Sequence, residues 1–192
     1  LAYSLAAREE LRILAPIPGK QAVGVEVPNP DASLVTLGDI YRKFPEGSSA
    51  LMAWLGQDIA GKPVYLDIAR MPHLLIAGST GTGKSVCLNS LLASILLHSS
   101  PADLRMILID PKKVELNHYE RIPHLLTPVV TNMRDAAAVL ANVVREMESR
   151  YELMGMARAR NLRDWNVARE GEGKPPMPMV LVVIDELADL MM

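Results

Sequence analysis

The fold of this chain is decided by the stretch Gly78-Ser79-Thr80-Gly81-Thr82-Gly83-Lys84-Ser85, which matches the pattern G-x-x-x-x-G-K-S. An apolar run at 74–77 precedes it and predicts a central strand, and a second apolar run at 86–97 predicts a helix. Glycines let the backbone fold around an anion, so that successive N–H groups and the N-terminus of the following helix converge on phosphate groups. The stretch therefore predicts a phosphate-binding loop between a strand and a helix.

Two residues at the end of this loop have specific expected roles. Lys84 is expected to reach the β- and γ-phosphates as a mobile positive charge, and the Ser85 hydroxyl is expected to bind Mg²⁺. Lys84 is therefore a candidate catalytic residue as well as a binding residue. The residues expected to contact the nucleotide are Gly78, Ser79, Thr80, Gly81, Thr82, Gly83, Lys84, Ser85 and Val86.

A pair of adjacent carboxylates, Asp185 and Glu186, follows the apolar run 179–184. This run predicts a buried strand that delivers both side chains to the end of a sheet. Successive side chains point in different directions, so Asp185 can hold the Mg²⁺ shell while Glu186 polarises or deprotonates the attacking water. A lone metal-binding Asp would suit a kinase or a GTPase equally well. The added Glu favours an NTP-hydrolysing protein of the additional-strand class, which includes RecA-like, AAA+ and ABC proteins.

A second buried strand is predicted at 104–109, and it leads into Asp110-Pro111-Lys112. Pro111 forces the chain out of the strand because it has no N–H to donate to the ladder. Near a nucleotide, Asp110 and Lys112 could orient Ser85 or a water, or contact a neighbouring subunit. Equally, they could only cap a loop, and the sequence leaves both readings open.

The order of predicted elements indicates an α/β fold. Strand, loop, helix, strand, helix and strand in succession imply parallel pairing through right-handed crossovers. The long helix in this order is predicted over 133–158, with Thr131 or Asn132 as its cap. Upstream, short strands at 51–55 and 63–68 are predicted to pair as a hairpin that leads into the loop strand.

The N-terminal part of the chain is predicted to be a separate unit. Residues 1–11 are good helix formers, residues 21–27 alternate as a half-buried strand does, and 45–49 resembles a linker. We therefore expect one domain over 1–47 and a second over 48–192.

Composition and charge exclude several classes of protein. The formal net charge of −2 gives no overall basic surface for nucleic acid, so any such contact would need local patches or parts outside this chain. The single cysteine excludes an internal disulfide and indicates a reducing compartment. No run of eighteen apolar residues occurs, so this segment is expected to be soluble. Its abrupt start and end lead us to expect that it is a segment of a longer protein.

Several stretches carry a resemblance that spacing alone does not supply. Together they resemble the motor region of the FtsK/SpoIIIE family of bacterial DNA translocases. They are Met71-Pro72-His73 with the loop that follows, Ile109-Asp110-Pro111-Lys112, Ile122-Pro123-His124-Leu125-Leu126-Thr127-Pro128-Val129-Val130-Thr131, and Asp185-Glu186-Leu187-Ala188-Asp189-Leu190-Met191-Met192. Residues 17–20 and 24–29 are similar to the small α domain that precedes the motor in the same family.

The resemblance implies a RecA-like P-loop NTPase core with a mostly parallel sheet, preceded by part of a small α+β domain. It also implies ATP-driven translocation of double-stranded DNA by a homo-oligomeric ring, commonly a hexamer, at the division septum or during sporulation. Lys84, Ser85, Asp185 and Glu186 match the family's ATP and Mg²⁺ positions. Family members carry N-terminal membrane helices, so the resemblance places the parent protein on the cytoplasmic side of the bacterial inner membrane. Most of the regions expected to contact DNA are absent from this chain.

Two other functions share these motifs. One is an FtsK-like ATPase that moves protein substrates in a secretion system, and the other is a nucleotide-controlled module for ring assembly. The phosphate loop and the acidic pair do not discriminate between them. The Asp-Pro-Lys and Ile-Pro-His-Leu-Leu elements favour the DNA branch.

Overall fold

A computed structural model describes residues 11–19, 21–27, 33–71, 73–79 and 81–191. The chain divides into two compact units between Thr36 and Leu37. In the first unit, strand β1 (Arg12–Leu14) pairs antiparallel with strand β2 (Gly24–Glu26), which lies within the predicted strand at 21–27. The predicted helix at 1–11 lies outside the described residues, except for its last residue. The division into domains at residue 47 stays a prediction.

The second unit begins with a helix and a hairpin that pack on one another. Helix α1 (Leu37–Ile40) precedes strand β3 (Met52–Gln57), which pairs antiparallel with strand β4 (Pro63–Asp67), so the predicted hairpin is confirmed. The ring of Phe44 stacks on that of Trp54 with centroids 4.9 Å apart, and Ile40 and Met52 complete this small core. Residues 37–44 therefore pack against strand β3.

Helix α2 (Lys84–Leu96) follows the phosphate loop. Hydrogen bonds tie the C-terminal end of this helix to the start of the hairpin. The buried Ser94 hydroxyl accepts a hydrogen bond of 2.8 Å from Trp54 N, and the Ser99 hydroxyl donates to Ala50 O at 2.5 Å. The His98 ring lies 3.2 Å from Ser49 O through Nε2. Buried backbone groups need partners, so these polar contacts fix the C-terminal end of α2 against residues 49–54.

The central sheet is parallel, as predicted. Strand β5 (Leu104–Ile109) pairs with strand β6 (Met179–Ile184), and Ile109 lies opposite Ile184. Residues 124–130 run parallel along the other edge of β5, where Val130 N donates to Leu108 O and Asp110 N to Val130 O. The register brings Asp110 and Asp185 to the same end of the sheet, directly after the C-termini of β5 and β6.

Helices cover both faces of this sheet. Alternate residues of β5 point to opposite faces: Leu104, Met106 and Leu108 join the core formed with α2, and Ile107 and Ile109 join a second core. The second core is closed by helix α3 (Met133–Met156), capped by Asn132, whose side chain accepts from Arg134 N. This three-layer arrangement explains why β5 is apolar along its whole length.

The strand predicted at 74–77 is not formed. Residues 73–79 have no regular secondary structure, and Leu75 exposes 76% of its surface. Within the described ranges, β6 and residues 124–130 occupy the two edges of β5, and no ladder bond reaches 73–79. Ile76 packs against the main core, so core packing and not strand pairing anchors this part of the described chain.

Three further elements differ from the sequence prediction. Helix α3 ends two residues early, and Arg158 then adopts a left-handed φ of 54°. Helix α4 (Leu162–Gly171), capped by Asn161, and helix α5 (Leu187–Met191), directly after the acidic pair, were not predicted. Within the described ranges, no helix combines the length and apolar character needed to cross a membrane.

Candidate functional site

The phosphate loop obtains its shape from two left-handed glycines. Gly81 has a φ of 82° and Gly83 a φ of 95°, which side chains rarely tolerate. Gly83 is also the N-cap of α2. Thr82 closes the turn, because its hydroxyl donates to Ser79 O at 2.7 Å and its N–H donates to the same oxygen at 3.2 Å. Thr80, another predicted contact residue, lies outside the described residues.

The geometry of the loop suits an anion. A Cβ atom placed on Gly78 would collide with the Thr82 hydroxyl, whereas Gly81 and Gly83 face open space. Among the described residues, no side chain caps α2 at Gly83, so the N–H groups of its first turn can donate to another acceptor. A helix N-terminus with free donors is a preferred site for phosphate groups. The loop therefore fits the phosphates that the sequence motif predicts.

Lys84 and Glu186 lie in contact, although 102 positions separate them in the sequence. Lys84 Nζ is 3.4 Å from Glu186 Oε2. The hydrogen bond and the charge of Lys84, followed by the charge of Lys112, hold the pKa of Glu186 below its ordinary value. The fold thus brings together the two residues that the sequence indicated as catalytic candidates.

Lys112 joins the same carboxylate from the end of β5. Its Nζ lies 3.6 Å from Glu186 Oε2 and 3.5 Å from Asp189 Oδ2. The charge of Asp189, and then that of Glu186, raises the pKa of Lys112. Sequence reasoning left the role of Lys112 open and did not single out Asp189. The available signal for Asp189 was its position three residues after Glu186, because Asp189 lies in the first turn of helix α5, which starts directly after Glu186.

Asp110 is the fully buried carboxylate of the site, and Asp185 is half-buried. Asp110 Oδ2 accepts hydrogen bonds from Glu115 N at 3.0 Å and Leu116 N at 2.9 Å, so Asp110 caps the loop that follows β5. Asp110 Oδ1 and Asp185 Oδ1 are buried and have no hydrogen-bond partner among the described residues. Burial raises the pKa of Asp185, the charge of Lys84 opposes that effect, and the charges of Asp110, Glu115 and Glu186 reinforce it.

The unpartnered oxygen of Asp185 fits a hydrated metal ion. Mg²⁺ commonly uses one or two protein ligands and keeps several waters, and a buried carboxylate oxygen without a donor can accept from such a shell. The Ser85 hydroxyl makes no hydrogen bond to Asp185 in the described part of the chain. Within that part, no cluster of three or more acidic, histidine or cysteine side chains forms a metal site. Val86, another predicted contact residue, is 70% exposed beside the loop.

Asn89 is a residue that sequence reasoning missed. It lies one turn after Ser85 on α2, and its amide donates to Ser85 O at 2.9 Å. Its side-chain oxygen accepts from the Tyr119 hydroxyl at 2.9 Å and lies 3.1 Å from His118 Nε2. Asn89 therefore ties the first turn of α2 to the loop after β5. An asparagine inside a predicted helix was the available signal, because asparagine is unfavourable there unless its side chain bonds elsewhere.

Comparison with known families shows which family this chain belongs to. The sequence model of the FtsK/SpoIIIE family matches residues 41–192, and that of the FtsK alpha domain matches residues 1–29. This chain belongs to the FtsK/SpoIIIE family. The predicted family membership is therefore confirmed, and the motifs that carried the resemblance lie within the matched ranges.

Curated relatives of this FtsK/SpoIIIE chain match it over its whole length. DNA translocase FtsK of Streptomyces coelicolor is 48% identical over 204 residues, and DNA translocase FtsK of Staphylococcus aureus strain Mu50 is 49% identical over 199 residues. These matches cover 100% of this chain but 22% and 25% of the respective relatives. The chain thus spans about a quarter of their length.

Solved structures agree on the fold. The cytoplasmic domain of the Type VII secretion ATPase EccC of Thermomonospora curvata superposes with a TM-score of 0.64 and 30% identity, covering 81% of this chain and 19% of EccC. The pCW3 conjugation coupling protein TcpA, solved as a monomer with ATPγS, gives a TM-score of 0.62 at 24% identity, covering 94% of this chain and 49% of TcpA. The prediction of an α/β fold with a RecA-like P-loop NTPase core is confirmed.

Proposed function

We propose that this chain is part of an ATP-hydrolysing motor that moves double-stranded DNA during chromosome segregation, at cell division or sporulation. The contact between Lys84 and Glu186 supports ATP hydrolysis, because it joins the residue proposed to bind phosphate to the residue proposed to activate water. The relatives that are 48% and 49% identical over the whole chain are named DNA translocases, which supports DNA as the substrate.

Each part of the site has a proposed role toward ATP and Mg²⁺. The loop glycines and the first turn of α2 hold the phosphates, and Lys84 neutralises the charge that develops on them. Ser85 and Asp185 hold Mg²⁺, which supplies charge neutralisation when it is bound. Glu186 takes a proton from the attacking water, a role for which its lowered pKa keeps it ionised.

The assembly and location of the parent protein are also proposals. We infer a homo-oligomeric ring, commonly a hexamer in this family, on the cytoplasmic side of the inner membrane. The formal charge of −2 means that this chain supplies little general attraction to DNA, so DNA contacts in the ring need local basic patches or regions outside it. Sedimentation with and without ATPγS tests the ring, and fractionation of cells tests the location.

One observation supports a second function. EccC, a secretion ATPase, resembles this chain with 30% identity, and this keeps transport of a protein substrate as the alternative. The identities of 48% and 49% to DNA translocases are higher and extend over the whole chain, so DNA is the better supported substrate.

The decisive experiment measures ATP turnover by the full-length protein with and without duplex DNA, over a range of salt concentrations. Stimulation that weakens as salt rises is expected, because contacts to DNA phosphates release counterions. Lys84→Ala should abolish turnover, and chelation of Mg²⁺ should do the same. Turnover that duplex DNA does not stimulate at any salt concentration would refute the DNA substrate, and full turnover by Lys84→Ala would refute the site.

A further inference from the structure

A row of four charged side chains lies at the end of the sheet, beyond the C-termini of β5 and β6. Lys84, Glu186, Lys112 and Asp189 alternate in charge, with successive N···O distances of 3.4, 3.6 and 3.5 Å. Both lysines approach the same oxygen, Oε2, of Glu186. A single exposed ion pair contributes little to stability, but a connected network can fix the position of its members.

The two lysines are not equivalent. Lys84 belongs to the phosphate loop, so phosphates compete with Glu186 for its charge. Lys112 lies outside that loop, and its second partner is a protein carboxylate, Asp189. When Lys84 binds phosphate instead of Glu186, Lys112 is the remaining cation in contact with Glu186 among the described residues.

The backbone around Lys112 is built to hold it in place. Asp110, two residues earlier, accepts hydrogen bonds from Glu115 N and Leu116 N, which closes the loop that contains Lys112. Asp189 stands on α5, the helix that starts directly after Glu186. Lys112 thus connects the loop after β5 to the turn after β6 through two carboxylates.

We propose that Lys112 is the positioning residue of Glu186: it holds this carboxylate in the site while Lys84 binds phosphate, and Asp189 in turn aligns Lys112. This role rests on the proposed function, in which Glu186 activates water. Two consequences follow. Loss of Lys112 leaves Glu186 less well placed for proton transfer. It also leaves Lys84 as the sole cation partner of Glu186 among the described residues, so Glu186 competes more strongly with phosphate for Lys84.

The test uses the full-length protein and compares Lys112→Met with Lys113→Met. Lys113 is the matched control, because it is the next residue and its side chain makes no ion pair in the described part of the chain. ATPγS binding is measured by titration, and kcat and KM are measured in the presence of duplex DNA. Circular dichroism checks that both variants are folded.

Lys112→Met is expected to lower kcat about tenfold or more, since a positioned base contributes about 10²-fold or more to a rate. ATPγS binding should weaken about two- to fivefold, the range expected for one exposed ion pair. Lys112→Arg should recover part of both losses, and Asp189→Asn should reproduce them in weaker form. Lys113→Met should behave as the unchanged protein does.

A second background separates action through Glu186 from direct attraction of phosphate. In Glu186→Gln, adding Lys112→Met should change neither ATPγS binding nor the residual rate. An equal effect in both backgrounds would overturn the proposal, as would a Lys112→Met variant that matches the Lys113→Met control. If the unchanged protein neither binds ATPγS nor hydrolyses ATP, the proposed function fails as well; if it does both, only the role of Lys112 is at stake.

Discussion

Asp110→Ala is expected to unfold the chain more easily, because Asp110 caps the loop after β5. Its Oδ2 accepts from Glu115 N at 3.0 Å and from Leu116 N at 2.9 Å, and Asp110 and Leu116 are both fully buried. Alanine leaves both N–H groups without this acceptor. Asparagine keeps a side-chain oxygen in nearly the same place, so Asp110→Asn is the matched control.

The size of the effect follows from these two bonds. A buried donor left without a partner costs about 1–3 kcal/mol, which applies to Leu116 N; the half-buried Glu115 N is expected to cost less. Asp110 Oδ1 is itself buried without a partner, and its removal relieves part of this cost. We therefore expect Asp110→Ala to lower the free energy of unfolding by about 2–3 kcal/mol, and Asp110→Asn by about 1 kcal/mol or less.

Urea denaturation followed by circular dichroism measures both variants. In a chain of this size, about 2–3 kcal/mol corresponds to a Tm lower by roughly 4–12 °C, so a thermal scan is an independent check. The reasoning is refuted if alanine and asparagine destabilise equally, because the retained acceptor oxygen then has no value. A loss below about 0.5 kcal/mol for alanine would contradict it too, since that is the scatter of ordinary surface substitutions.

Three further predictions test other parts of the site. Gly83→Ala should lower the free energy of unfolding by about 1–2 kcal/mol and weaken ATPγS binding, because alanine is strained at the φ of 95°. Thermal scans measure the first effect and titration the second. A variant as stable as the unchanged protein would contradict the assignment of a left-handed cap. Asp185→Asn should stabilise the folded chain at neutral pH, because burial raises the pKa of Asp185. Above that raised pKa the ionised carboxylate lowers the stability of the folded chain, and this cost disappears as the pH falls toward the ordinary pKa of an Asp carboxyl. Urea titrations across pH should show this gain shrinking in acid, and a gain independent of pH would rule out the titration of Asp185 as its cause. Ser94→Ala should lower the free energy of unfolding, measured by urea denaturation, by about 1–3 kcal/mol, because Trp54 N loses its buried acceptor. The control Ser90→Ala, one turn earlier, should lower it less. Equal losses would contradict the value assigned to this hydrogen bond.

The sequence predicted the central layers of the fold well, because their signals are local. The apolar runs at 104–109 and 179–184 are strands with those bounds, and the cap at Asn132 starts the long helix. The run at 74–77 has the same apolar character but forms no strand, since a strand also needs a neighbour to pair with. Helix α4 is largely polar and half-exposed, so its apolar pattern was too weak to predict it.

The sequence singled out several residues that the fold brings together, but it did not indicate their partners. The motifs identify Lys84 and Glu186, but no sequence rule states that both approach one another or that Lys112 shares the same oxygen. Those contacts depend on the register of β5 against β6, which only the folded chain defines. Asn89 was missed for the same reason, because its partners come from a distant loop.

The attachment of α2 to residues 49–54 has a mechanical consequence for the phosphate loop. A helix of 13 residues is about 20 Å long, so a tilt of about 3° at its fixed C-terminal end moves its N-terminal tip by about 1 Å. Misplacement by about 1 Å at a reacting centre can reduce a rate about 10²-fold. The position of Lys84 therefore depends in part on the Ser94 hydroxyl, which lies near the opposite end of the same helix.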